Sequence, residues 1–169
     1  MTRDDLQTLY DYNYWANARL LAAAAHLTRD DFVRPVAGTY GSVRTTLVHM
    51  MSAEGGIIER SGGPHRGAPL QPDAFTEVQD VVTYWQRQER TVRGYLASLT
   101  DADLTRRVAF RSPVFAAAVD LSLGEILQHA ATHAIHHRGQ VSLLLRALGQ
   151  PPGDVDLLLY YAAMNQPGH

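Results

Sequence analysis

Four of the eight histidines in this chain, His129, His133, His136 and His137, fall within nine residues. Imidazole is the commonest protein ligand for divalent transition metals, and a helix stacks positions i and i+4 on one face, so His133 and His137 can chelate one ion. His129 lies one turn before His133, so spacing equally allows a His129/His133 pair, while His136 sits toward the flank. The two stacked histidines interrupt an apolar stripe, Ile126, Ala130, His133, His137, Val141, Leu144 and Leu148, that recurs at steps of three and four residues. Neutral imidazoles survive on such a face when their ring nitrogens find partners, either a shared metal or the hydrogen bonds of a core or wet groove. Two ligands hold an ion weakly, and catalytic zinc commonly takes three, so another helix must contribute. His49, in SVRTTLVHMMSAE, is the candidate, although the periodicity there places it between two apolar faces and reads as a surface or groove histidine. His26, His65 and His169 read as solvated. There is no cysteine, so a metal would have to use histidine, carboxylate and water.

Other residue types carry weaker signals. Glu54 lies five residues after His49, about 140° around an ideal helix, and is an acid/base candidate beside its plainer reading as an exposed or capping carboxylate. Arg138 and Gln140 follow the histidine pair and could hold an anionic substrate or support the helix, with a structural role the better reading of Gln140. Tyr10, Tyr14 and Trp15 read as core or dimer surface rather than substrate pocket. No G-x-S-x-G elbow, Walker loop or Rossmann glycine pattern is present, which argues against serine hydrolase and nucleotide chemistry.

Four long amphipathic segments must position these residues. The first helix is expected over about 4–26, followed by a connector over 27–41 with turn signals at Thr28, Pro35 and Gly38. Ser42 is a plausible N-cap for a second helix from Val43 to about Arg60, ended by the exposed loop SGGPHRGAPLQPD. Phe75, Thr76 and Gln79 resemble a staple and capping box for a third helix reaching about Ser98. Between 105 and 119, RRVAFRSPVFAAAV allows a small hairpin around Ser112-Pro113. Ser122 and Glu125 form a second capping box, launching a fourth helix to about Leu148 with Gly149 as its terminal cap. A short final helix is expected over 154–164. The pattern predicts an all-α four-helix bundle with a short C-terminal helix, in a single domain spanning 1–169.

At 169 residues, 46% hydrophobic, the chain can bury a core without disulfides, and a formal net charge of -2 with scattered arginines argues against nucleic acid or anionic membrane as partner. The acidic, polar start and the lack of any uncharged apolar run near the roughly 20 residues needed to span a bilayer point to a soluble, cytoplasmic protein.

RTTLVHMMSAE, followed some eighty residues later by LGEILQHAATHAIHHRGQVSLLLRALGQPP, resembles the DinB family of DinB/YfiT-like metalloenzymes; YDYNYWANARLL and YGSVRTTL fit the same pattern over nearly the whole chain. H-x-x-x-H-R-G-Q is its most specific element. The resemblance implies a four-helix bundle whose metal, zinc or nickel, is held by His49, His133 and His137 with water completing the shell, which leaves His129 and His136 as outer or bystander residues. It also implies a homodimer and, in some members, S-transferase or isomerase activity with a low-molecular-weight thiol such as mycothiol, bacillithiol or glutathione, acting on an electrophilic substrate. Metal-assisted hydrolysis with Glu54 as base, and a non-catalytic, stress-induced metal-binding module, are the alternatives.

Overall fold

The computed structural model describes residues 1–111 and 118–165. Its long helices are α1 (Arg3–Ala24), α3 (Val43–Arg60), α4 (Val78–Ser98) and α6 (Leu123–Ala147); α2 (Arg29–Val33), α5 (Asp101–Leu104) and α7 (Leu157–Met164) are short. Helices α1 and α3 both pack against α4 and α6. Two apolar clusters set the directions. Leu20, Val43, Leu47, Val81 and Leu145 share one cluster, while Leu6, Ile58, Leu96 and Leu123 share the other. Thus the starts of α3 and α4 lie level with the ends of α1 and α6, and the two pairs run in opposite directions.

Local chemistry accounts for most boundaries. Thr2 and Asp5 form a reciprocal capping box that starts α1, and Ser42 Oγ accepts the Thr45 N–H at the start of α3. Helix α6 starts on the expected Ser122/Glu125 box, and Gly149, at φ 75°, takes the left-handed conformation just past its end.

The start of α4 differs from expectation. Its box is Glu77 with Asp80, and Asp80 Oδ2 accepts from the Thr76 and Glu77 backbone N–H groups and from Thr76 Oγ1, whereas Gln79 reaches forward to Thr83. A charged carboxylate facing three donors outcompetes a neutral amide. The 27–41 connector contains α2, capped by Thr28 on Asp31, and a second turn capped by Thr100 and Asp103 forms α5. The expected hairpin is present as antiparallel strands β1 (Arg107–Arg111) and β2 (Ala118–Ser122), with Ala109 opposite Asp120; its Ser112-Pro113 turn lies outside the described residues, as does His169. Among the described residues, no helix is long and apolar enough to cross a membrane.

Candidate metal centre

His49 projects from the middle of α3 toward the middle of α6. The antiparallel pairing of these helices sets Val43–Met51 against Ala134–Leu145, which brings the first histidine level with the other two. His49 Nε2 lies 3.1 Å from His137 Nε2, and His137 Nε2 lies 3.2 Å from His133 Nε2. One ligand nitrogen from each residue lies within 4.8 Å of the others. Three nitrogens bound to a tetrahedral ion at about 2.0–2.1 Å would stand roughly 3.3–3.4 Å apart, so the donor set fits such an ion closely.

Two of the outer nitrogens are also held. His137 Nδ1–H donates to Gln140 Oε1 at 2.7 Å, and His49 Nδ1 lies 2.9 Å from the Tyr40 hydroxyl. A proton fixed on Nδ1 leaves the Nε2 lone pair directed inward. Gln140 in turn donates through Nε2 to His136 Nε2 at 3.3 Å. His136 therefore supports the centre through Gln140, and the expectation of a structural role for Gln140 matches its position. His129 is exposed, its ring centroid 5.9 Å from that of His133. Tyr40 is the participant that helix periodicity missed, because it lies in the connector before α3 and only the folded chain lays its ring against His49 and His137.

All three imidazoles are biased toward the neutral, metal-binding form. Burial pushes His133 down to about 4, with the neighbouring imidazoles adding to the effect. Burial and the His137 charge lower His49; burial is also the main cause for His137 and outweighs the opposing bond to Gln140. With its proton on Nδ1, His137 Nε2 can only accept from the Nε2–H groups of His49 and His133, and a shared cation would take the place of those two protons.

The remaining candidates lie elsewhere. Glu54 is only 5% exposed, contrary to its reading as an exposed or capping carboxylate, and accepts from Gln88 Nε2 at 2.7 Å between α3 and α4. Its carboxyl is raised to about 6 by burial, against the opposing bond from Gln88. Arg138 is buried at 2% exposure, where Nη1 donates to Asn17 Oδ1 at 2.9 Å and to Asn13, with Tyr12 beneath the guanidinium. It ties α6 to α1. Tyr10 and Tyr14 are buried in the bundle, and the Tyr10 hydroxyl donates to Leu127 O.

The sequence pattern of the DinB family matches residues 1–168. The chain belongs to the DinB family. It is 24% identical over 157 residues to Protein DinB of Bacillus subtilis, covering 90% of this chain and 91% of that one. A crystal structure of a DinB-like protein from Bacillus cereus superposes with a TM-score of 0.73 at 19% identity, covering 92% of this chain and 98% of the other. This DinB-family chain thus shares the bacterial fold and has three histidines gathered where a metal could bind.

Proposed function

We propose that the protein is a metal-dependent enzyme that activates a low-molecular-weight thiol for S-transfer or isomerisation, with His49, His133 and His137 as the metal ligands. The observation that carries this reading is the convergence of three Nε2 atoms at 3.1–3.2 Å spacings with two of the outer nitrogens held by Tyr40 and Gln140. A zinc or nickel ion held by three imidazoles supplies Lewis acidity that lowers the pKa of an entering thiol or water.

The surrounding residues favour the thiol over water. Activating water calls for a general base, and among the described residues no carboxylate is hydrogen-bonded to the three imidazoles, while Glu54 is turned toward Gln88. A thiol is the more acidic nucleophile and needs less assistance. With no cysteine in the chain, that thiol must arrive as a cosubstrate. Tyr40, 45% exposed and against His49, presents an aromatic face and a hydroxyl to whatever enters.

The test is metal analysis of untagged protein together with turnover of electrophiles supplied with individual thiols. Near-stoichiometric zinc or nickel in the wild type, with loss of metal and turnover in His137→Ala and a preserved helical spectrum, is expected. Full metal occupancy in both His49→Ala and His137→Ala would sink the three-histidine centre; turnover without any thiol would move the assignment to hydrolysis.

A further inference from the structure

Helix α3 carries two adjacent glycines, Gly55 and Gly56, in its interior, where glycine is the poorest helix former after proline. Their use is visible in what lies over them. A Cβ on Gly56 would stand 3.2 Å from the guanidinium carbon and Nη1 of Arg66 and 3.3 Å from Nη2 of Arg60; one on Gly55 would stand 3.3 Å from Arg66 Cδ. The bare backbone leaves room for two guanidinium groups to approach it. Arg66 reaches it from the Gly/Pro loop after α3 and is latched there, Nη1 donating to Ser52 O at 2.5 Å and to Ser52 Oγ at 3.0 Å. Arg60 leans over the Phe110 ring, 5.6 Å from its centroid.

Two like charges share one seat, and the carboxylate beside them, Glu59, offsets one of the two. Among the described residues Arg60 makes no salt bridge, and the nearby carboxylate, Glu59, stands 3.6 Å from Arg66 Nε and is shared with His65. Partial burial and the Arg66 charge lower Arg60 from its ordinary value, with the Glu59 charge opposing them. An anion between the guanidiniums would relieve the repulsion and complete their hydrogen bonding.

Position connects the pair to the metal centre. His49, Ala53, Gly56 and Arg60 follow steps of four, three and four residues, so they form one stripe along α3. Ser52 and Ala53, between the histidine and the arginines, are only partly buried and Arg60 is exposed, while Gly56 is covered by the guanidiniums. Seven residues separate His49 from Gly56, about 10 Å along the axis.

We infer that Arg60 and Arg66, seated on Gly56, form an anion subsite that takes the carboxylate or phosphate of the molecule reacting at the three-histidine centre. The role assigned to that anion rests on the thiol-activating reading; the subsite itself does not. Inorganic phosphate titrated into metal-free protein, followed through the arginine Nε–H resonances, is expected to give a saturable shift at Arg60 and Arg66. Arg66→Gln should weaken that binding about tenfold, the scale of one charge-assisted contact, and Gly56→Ala should weaken it by displacing the guanidiniums. No saturable shift, or equal binding in Arg66→Gln, overturns the subsite. On metal-loaded protein, an ω-mercaptoalkanoate long enough to span the two turns should bind more tightly than the matching mercaptoalkanol, a preference lost in Arg66→Gln. Arginine-dependent phosphate binding without that preference would assign the site to free phosphate and overturn the link to the substrate. Failure of the metal centre would read differently, as absent metal with the phosphate shift intact.

Discussion

At the scale of single residues, the proposed metal centre has partners beyond its three imidazoles. Gln140 and Tyr40 hold the outer nitrogens of His137 and His49. Outer partners of metal-bound histidines are typically worth about 10- to 100-fold in affinity, so Gln140→Ala should lower zinc affinity by that factor and Tyr40→Phe by less, as read by competition with a chelating dye. Glu54 makes a pH-dependent prediction. Its folded value, about 6, stands above its ordinary 4.5, so the folded state holds the proton more tightly than the unfolded chain. Stability from this group is therefore present below pH 4.5, falls as pH rises through the window up to about 6, and stays lower above it. Glu54→Gln should abolish that slope and raise stability at pH 7 by up to about 2 kcal/mol in chemical denaturation. A lower stability at pH 7 would mean that the ionised carboxylate is worth more to Gln88 than its burial costs.

At the scale of elements, helix starts are decided by competition among nearby acceptors. Asp80 gathers three donors at the start of α4, while Gln79 contributes to none of them. Asp80→Ala should cost about 1 kcal/mol and Gln79→Ala only a few tenths, measured as shifts in the urea midpoint. Helix α7 presents a different problem. Leu158 is 74% exposed, with Leu159 and Tyr161 also exposed, and the segment Leu157–Met164 carries no charge. We propose that a second copy of the chain covers this face, since an uncharged apolar surface is self-complementary across a twofold axis. Sedimentation should show a dimer for the wild type and a monomer for Leu158→Glu; a monomeric wild type at micromolar concentration would exclude that use of the face.

At the scale of the molecule, the histidine cluster and the apolar core are separate. The two apolar clusters span all four long helices, and the three histidines sit where α3 faces α6 without replacing that core. Chelation should therefore lower the melting temperature through lost binding energy while leaving the far-ultraviolet spectrum unchanged. Loss of helical signal on chelation would show instead that the centre is needed for folding.

Much of this was legible locally. Apolar stripes, capping residues and the Gly/Pro loops announce four long helices, the hairpin and the short final helix, because helix periodicity and caps depend on neighbours within one turn or so. The His133/His137 pair was legible for the same reason, though spacing left His129 as an alternative partner. Assigning His49 as the third ligand required the family resemblance, since its own helix places it between two faces. Tertiary structure alone decided what depends on residues distant in sequence. It brought His49 within 3.1 Å of His137, laid Tyr40 on His49, buried Glu54 beside Gln88, and committed Arg138 to Asn13 and Asn17. Those outcomes turn on the antiparallel register of α3 against α6 and on how the loops return to the bundle. Both are set by packing over the whole core, and no single helix records them.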